Sequence, residues 1–385
     1  MQNFTFYNPT KIVFGQNSVE QLETLIASDA RIMMIYGGQS AEKTGTLREI
    51  RDVLGHRIVK EFGGVEPNPR YETLMRAVEL IKSNDIDYLL AVGGGSVIDG
   101  TKFIAAAALY TGEPWNILKN QGADVEQALA FGCVLTLPAT GSEMNAGAVI
   151  TRGETQDKLF FNSTHVFPQF SILDPLKTYT LPERQLANGV VDAFTHVMEQ
   201  YLTYPAGGYI QDRMAEGLLQ TLIEIGSRVL SAEKDDEARA NLMWVATLAL
   251  NGLIGAGVPQ DWSTHMIGHE LTALYEIDHA RTLAVVLPAN LSVRRESKAA
   301  KLLQYAERVW QIREGSEQAR IDAAIEQTKA FFKAMGIPTQ LGDYDLGHEA
   351  IDKVVAQLEH HGMTALGEHS DVTLAISRQI LEKAL

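Results

Sequence analysis

The spacing of apolar residues divides the chain into two parts with different periodicities. Up to about residue 180, short runs rich in Ile, Val and Leu at residues 31–36, 88–92, 133–137 and 170–173 alternate with helix-like stretches such as residues 71–82. Short apolar runs that alternate with helices are typical of the buried strands of a parallel sheet. We therefore predict a parallel sheet with helices on its faces in the first part of the chain.

Beyond residue 182 the strand pattern fades and helical periodicity takes over. The predicted helices cover residues 190–203, 212–230, 236–253, 298–310, 320–335 and 349–357. The pattern predicts an α/β N-terminal domain with a parallel sheet, residues 1–180, followed by an all-α C-terminal domain, residues 181–385. We expect the two domains to face each other across a cleft, where α/β enzymes usually bind their ligands.

The composition is that of a globular protein with an acidic balance. Hydrophobic residues make up 45% and charged residues 21%, and the formal net charge is -15. A charge of this sign repels phosphate backbones and anionic lipids, so we expect no nucleic-acid or membrane partner. The single cysteine, Cys133, excludes an intrachain disulfide, and no signal peptide is evident, so we expect a cytoplasmic location.

Two glycine-rich turns follow predicted strands and precede helices. The stronger is GGGS at residues 93–96, because glycines let a backbone approach a pyrophosphate and the next helix offers unpaired amides. The second, GGQS at residues 37–40, offers hydroxyl and amide groups in place of the carboxylate that usually contacts the NAD ribose. These turns predict a nicotinamide dinucleotide, with NADP favoured over NAD, although each is also consistent with a plain strand–helix turn.

Hydroxyl side chains cluster where the run 133–137 ends. Thr136, Thr140 and Ser142 can donate or accept hydrogen bonds, and ligands of α/β domains bind at the carboxyl ends of the strands. A cofactor contact and an ordinary Ser/Thr-rich turn explain this segment equally well.

Histidines and a carboxylate recur at helical spacing in the second part of the chain. Asp192 and His196 are four residues apart, as are His265 and His269, so each pair projects from one face of a helix. His279 follows after a short break. Carboxylate and imidazole groups in such an arrangement are typical ligands of a divalent metal, in an enzyme or in a non-catalytic metal-binding protein. The order HxxxHE differs from the HExxH of metalloproteases.

Taken together, several motifs resemble the iron-containing (group III) alcohol dehydrogenase family, in particular its NADPH-dependent aldehyde reductase or butanol dehydrogenase branch. The motifs are GGGSVID, TLPATGSE, NGVVDAFTH, GLIGAGVPQDWSTHMIGHEL and DHARTLAVVLP. The resemblance spans nearly the whole chain and implies a dehydroquinate synthase-like architecture and a homodimer. The metal ligands that it implies are Asp192, His196, His265 and His279, with His269 beside the metal as a catalytic proton donor. The cofactor contacts that it implies are Gly37, Gly38, Ser40, Gly94, Gly95, Ser96, Asp99, Thr136, Thr140, Asn145 and Lys158.

The activity that the resemblance implies is metal-dependent, reversible reduction of small aldehydes to primary alcohols. NADP(H) is the expected cofactor, with NAD as the alternative, and zinc or iron is the expected metal. The other reactions considered are an NAD-dependent polyol or glycerol-type oxidation, a dehydroquinate synthase-like elimination and a metal-dependent hydrolysis. A lyase acting on sugar phosphates needs basic side chains, yet residues 187–201 and 252–274 contain no Lys or Arg. A hydrolase has no use for two phosphate-binding turns.

Two further features bear on substrate and assembly. The candidate walls of a substrate pocket are Trp262, Met144, Asn145 and Phe194, which lie close to the motifs in sequence and are equally consistent with packing in the core between the domains. The alternation of apolar and polar residues over positions 4–14 predicts a strand that can pair with the sheet of a partner subunit.

Overall fold

The computed structural model describes residues 1–231 and 233–385 and groups them into two units. The first unit is Tyr7–Pro182, and the second consists of Glu183–Leu385 together with Met1–Phe6. Within the described ranges, every helix is too short or too polar to span a membrane.

The first unit is an α/β domain. Its strands are β1 (Lys11–Phe14), β2 (Ile32–Tyr36), β3 (Ile58–Phe62), β4 (Tyr88–Gly94), β5 (Ala130–Leu137), β6 (Gly147–Arg152), β7 (Asp157–Asn162) and β8 (Phe170–Leu173). Its helices are α1 (Leu22–Leu25), α2 (Ser40–Lys43), α3 (Thr46–Leu54), α4 (Tyr71–Ser83), α5 (Gly95–Leu109) and α6 (Asn116–Lys119). The four apolar runs are confirmed as strands β2, β4, β5 and β8, because each is buried in the sheet.

Six of these strands form one parallel sheet in the order β1-β8-β5-β4-β2-β3. From β2 the chain moves outward to β3, then returns past β2 to β4 and continues toward β5. The direction of winding therefore reverses between β2 and β4. Parallel strands place their carboxyl ends at the same edge of a sheet, so the turns after β2, β4 and β5 lie side by side at the position where such sheets bind ligands.

Some elements of this unit were not predicted. Strand β3 and the antiparallel hairpin of β6 and β7 contain charged residues among their apolar ones, so they lack the continuous apolar run of a buried strand. The strand predicted over positions 4–14 is limited to Lys11–Phe14, and it pairs with β8 of its own chain. Pro9 cannot donate a backbone hydrogen bond, which accounts for the late start of β1.

The second unit is helical apart from a two-residue ladder. Its elements are α7 (Glu183–Tyr201), α8 (Tyr209–Leu230), α9 (Asp236–Ala249), α10 (Ser263–Tyr275), α11 (His279–Val293), α12 (Ala299–Arg308), α13 (Glu317–Ala334), α14 (His348–His360), β9 (Ala365–Leu366), β10 (Val372–Thr373) and α15 (Leu374–Lys383). The six helices predicted from periodicity are present as α7, α8, α9, α12, α13 and α14. Helix α9 ends before the predicted residue 253, where the chain turns through Gly252 with φ 88°. Helix α11 was not predicted, and it contains Pro288.

Candidate active site

Three helices of the second unit bring the predicted metal ligands together. Asp192 and His196 lie one turn apart on the buried helix α7, His265 lies on α10, and His279 is the first residue of α11. Ligand atoms of Asp192, His265 and His279 all lie within 4.8 Å of one another. His196 borders this group, since its Nε2 is 3.7 Å from Asp192 Oδ1 and its ring stacks on that of His265 with centroids 4.7 Å apart.

The chemistry of this cluster fits a divalent metal ion. Asp192 Oδ1 is buried and has no hydrogen-bond partner among the described residues. A buried carboxylate oxygen left in this state costs free energy that a coordinated cation would recover. Three imidazoles and one carboxylate are ligands that suit zinc and ferrous iron alike. Residues 192, 196, 265 and 279 therefore form a candidate metal centre.

Burial also sets the protonation state of His196. Desolvation lowers its pKa to about 4, with His265 acting in the same direction and Asp192 opposing it. The imidazole is therefore neutral at physiological pH, which is the form that binds metals.

Glu199 is part of this centre, and the sequence reasoning missed it. Its Oε1 accepts a hydrogen bond of 3.1 Å from the backbone amide of His265, and its Oε2 contacts Nδ1 of the same residue. Burial raises the pKa of the Glu199 carboxyl well above its ordinary value. The missed signal is positional, because Glu199 extends the face of Asp192 and His196 by one further helical turn in an otherwise apolar segment.

His269 and Trp262 flank the cluster. The ring centroid of His269 is 5.0 Å from that of His279 and 5.9 Å from that of His265. The ring centroid of the half-buried Trp262 lies 5.3 Å from that of His265. Phe194 is not a pocket wall, because it is fully buried and packs on the ring of Phe332, with centroids 5.5 Å apart. Residues two positions apart on a helix face different sides, which separates Phe194 from the two α7 ligand candidates.

In the first unit, the predicted dinucleotide turns follow adjacent strands. Gly94 ends β4 and caps α5, while residues 37–40 follow β2. A Cβ on Gly95 would lie 2.4 Å from Thr140 Oγ1, so this glycine is required for the close approach of α5 to the turn after β5. A Cβ on Gly38 would meet no atom within 4 Å, so packing does not explain this glycine. The structure thus places Gly95 against Thr140 and leaves Gly38 exposed.

The remaining candidate cofactor contacts near these turns differ in their burial and in their contacts. Gly37 packs near the carbonyl of Val65, Ser40 is exposed at the start of α2, and Thr136 is half-buried on β5. Lys158 is buried on β7, where its Nζ donates a 3.0 Å hydrogen bond to Asn68 Oδ1.

Asn68 continues this group toward α5. Its backbone amide donates a 3.3 Å hydrogen bond to Oγ of Ser96. Lys158 and Ser96, which are far apart in sequence, therefore meet through Asn68.

A buried lysine organises the turn after β5. Lys102 Nζ donates to Ser142 Oγ at 2.8 Å, to Asn145 Oδ1 at 2.8 Å and to the Gly147 carbonyl at 2.7 Å. The Asp99 carboxylate accepts from Ser142 Oγ at 2.5 Å and from the amide of Val149 at 2.9 Å. The observed contacts of Asp99 and Asn145 therefore hold the turn in place. Lys102 gave no sequence signal, because a lysine inside an apolar helix is read as exposed.

Comparisons with known proteins identify the family of this chain. Residues 9–175 match the profile of the iron-containing alcohol dehydrogenase family, and residues 186–383 match that of the C-terminal domain of Fe-containing alcohol dehydrogenases. The chain is 58% identical to the NADPH-dependent aldehyde reductase YqhD of Escherichia coli, with 100% of both chains covered. It is 42% identical to a probable NADH-dependent butanol dehydrogenase of Bacillus subtilis, over 94% of this chain and 95% of the other.

Solved structures of two related proteins are also similar to this chain over its whole length. The crystal structure of Escherichia coli YqhD matches with a TM-score of 0.98 and 57% identity, over 100% of this chain and 99% of that one. An NADH-dependent butanol dehydrogenase from Thermotoga maritima matches with a TM-score of 0.94 and 37% identity, over 100% and 99% of the two chains. The two profiles together account for nearly the whole sequence, and this chain therefore belongs to the iron-containing alcohol dehydrogenase family.

Proposed function

We propose that this protein is a metal-dependent, NADPH-linked aldehyde reductase that converts small aldehydes to primary alcohols and can run in reverse. The observation that carries the proposal is the convergence of Asp192, His196, His265 and His279 in the helical unit. The relatives named as aldehyde reductase and butanol dehydrogenases support the reaction class.

The four candidate ligands would hold one divalent metal, ferrous iron or zinc. When bound, the metal supplies a Lewis acid that polarises the aldehyde oxygen. Asp192 brings one negative charge, and the neutral imidazoles bring none. His269, whose ring borders that of His279, would donate the proton that the oxygen needs after hydride transfer, directly or through one water.

The turns of the α/β unit would hold NADPH. Gly94, Gly95 and Ser96 at the start of α5 offer backbone amides and a hydroxyl to the pyrophosphate. Gly37, Gly38 and Ser40 leave room for the 2′-phosphate, and Lys158 adds a positive charge. Thr136, Thr140, Asn145 and Asp99 complete the proposed set, the last two chiefly by holding the turn. When bound, the reduced nicotinamide supplies the hydride.

This division assigns one role to each part of the chain. We propose residues 1–180 as the dinucleotide-binding domain and residues 181–385 as the metal-binding domain.

A cytoplasmic location stays a prediction, consistent with the single, buried Cys133.

The test is loss of NADPH absorbance with a short-chain aldehyde, before and after metal removal by a chelator. We expect turnover that falls on chelation and returns with Fe²⁺ or Zn²⁺. Replacement of His265 by Ala should abolish metal retention and turnover together, and normal turnover by a metal-free His265→Ala protein would refute the assignment.

Two other outcomes would favour a different reaction. Faster turnover of glycerol with NAD than of aldehyde with NADPH would favour the polyol dehydrogenase. Turnover without net oxidation of a nicotinamide would favour the lyase.

We also propose a homodimer in which β1 contributes to the subunit contact. β1 is an edge strand of the sheet, and Phe14 at its end is 45% exposed. An exposed aromatic side chain on an unpaired strand edge suits pairing with a second copy. Light scattering should give the mass of a dimer, and Phe14→Asp should shift it to a monomer. The control is Phe160→Asp, which changes a phenylalanine of similar exposure, 47%, on β7. A dimer in both variants would place the contact elsewhere.

A further inference from the structure

We infer that Glu199 is a positioning residue of the metal centre, which orients His265 for coordination. This inference rests on the proposed metal site and adds a residue that does not itself coordinate. Two observations carry it: the hydrogen bonds of Glu199 and its position on α7.

The first observation is that Glu199 binds His265 at two points. One carboxylate oxygen accepts from the His265 backbone amide at 3.1 Å, and the other contacts Nδ1 of its ring. The amide of Thr264 also hydrogen-bonds to the carboxylate. Glu199 therefore fixes both the backbone and the ring of His265 in the first turn of α10. Side-chain rotation of His265 would break one of these contacts.

The contact with Nδ1 selects one tautomer of His265. When a metal occupies Nε2 of His265, the ring proton is on Nδ1, and the Glu199 carboxylate is the group placed to accept it. The lone pair of a neutral imidazole is then on Nε2, which is the atom left for a metal. Histidine ligands of metals commonly donate their other ring N–H to a carboxylate, which fixes the ring and increases its basicity.

The second observation is that one face of α7 holds all three groups. Asp192, His196 and Glu199 are separated by one helical turn each, and all are at least nine-tenths buried. Helix α7 thus supplies two candidate ligands directly and controls a third ligand on α10 through Glu199.

The test replaces Glu199 with Gln, which keeps the shape of the side chain. The Gln oxygen can still accept from the two backbone amides, but its NH₂ group then faces Nδ1 and favours the tautomer with the proton on Nε2, where the metal binds. We expect metal affinity, measured by competition with graded chelator, to fall about 10- to 100-fold. The visible absorption of the Co²⁺-substituted protein should change as well.

The matched control is Glu270→Gln. Glu270 is a second buried glutamate, and its Oε1 contacts Nδ1 of His361 at 2.7 Å, so the substitution disturbs the same kind of pair without touching a proposed ligand. We expect Glu270→Gln to lower the melting temperature of the metal-free protein as much as Glu199→Gln does, while metal affinity stays at the wild-type value. Equal metal affinity in both variants and wild type would overturn the inference but leave the proposed function intact.

A measurement on the wild-type chain tests the tautomer even if Glu199→Gln fails to fold. In the Zn²⁺-loaded protein labelled with ¹⁵N-histidine, the ring signals of His265 are assigned through their connection to the backbone of that residue. We expect a protonated Nδ1 and an unprotonated Nε2. Protonation of Nε2 instead would contradict a positioning role for Glu199. A wild-type protein that retains no divalent metal would refute the proposed function itself.

Discussion

His269 illustrates how close a side chain can lie to the cluster while having a different proposed role. Its ring centroid is 5.0 Å from that of His279, so distance alone does not separate it from the ligand candidates, and its separate role is part of the proposed function. A histidine at this distance can transfer a proton without holding the metal.

Replacing His269 with Ala should therefore leave metal content unchanged and lower kcat. The expected loss is about 100-fold or more, because a positioned general acid contributes that much. Metal analysis and steady-state kinetics on the same preparation provide the measurement. The exposed His56 gives the control, since His56→Ala should change neither quantity. Loss of metal in His269→Ala would make this residue a ligand.

Lys102 predicts a pH dependence of stability. Burial lowers its pKa to about 8, although Asp99 acts in the opposite direction. The folded chain therefore releases this proton at lower pH than the unfolded chain, whose value is 10.5. The cost of burying the charged lysine is fully present below pH 8 and disappears as the pH rises toward the unfolded value.

We expect the free energy of unfolding of the wild type, relative to Lys102→Met, to rise by about 2–3 kcal/mol between about pH 7 and about pH 10. Urea denaturation of both proteins at each pH measures this difference, and titrating groups that do not interact with Lys102 cancel in the comparison. A difference that stays constant would show that Lys102 keeps an ordinary pKa, and one that falls with pH would show that its pKa is raised.

At the scale of elements, two glycines in similar turns have different neighbours. Gly95 begins α5 against Thr140, whereas Gly38, after β2, has open space around its Cα. A methyl group on Gly95 would collide with Thr140, while a methyl group on Gly38 would meet no atom of the described residues within 4 Å.

Gly95→Ala should therefore lower the melting temperature, because the added Cβ would lie 2.4 Å from Thr140 Oγ1. Gly38→Ala should leave the melting temperature unchanged and raise KM for NADPH several-fold, with a smaller effect on KM for NADH. Thermal melts and kinetics with both cofactors test this pair. An unchanged KM for NADPH in Gly38→Ala would remove Gly38 from the proposed 2′-phosphate site.

At the scale of the whole molecule, the candidate metal and dinucleotide sites are formed by different units. All four ligand candidates lie within Glu183–Leu385, and all the glycine turns lie within Tyr7–Pro182. Each unit therefore holds its own proposed ligand with its own residues.

Hydrogen exchange should report the two binding events separately. A ligand that binds only the folded state reduces local opening, so bound regions exchange more slowly. Adding metal to the metal-free protein should slow exchange in α7, α10 and the start of α11. Adding NADPH alone should slow it in residues 37–40 and 93–96. Protection by NADPH confined to the helical unit would contradict the proposed location of the cofactor.

Much of this protein follows from the sequence alone. The continuous apolar runs of β2, β4, β5 and β8 predict a buried parallel sheet, because only strands covered on both faces lack polar alternation. The spacing of Asp192 with His196 predicts a shared helical face, since residues four apart on a helix are neighbours. Local periodicity therefore determines the elements, the two-part organisation and the candidate ligand pairs.

Tertiary structure alone decided which distant residues meet. Glu199 reaches His265 and Lys102 reaches Asn145 only because helices and turns far apart in sequence pack together. Their burial, which changes the pKa of both groups, is equally a product of packing. A charged residue inside an apolar helix is read from sequence as solvent-exposed, because its partners are contributed by other segments. Only their assembly in three dimensions replaces the solvent around that charge with defined hydrogen bonds.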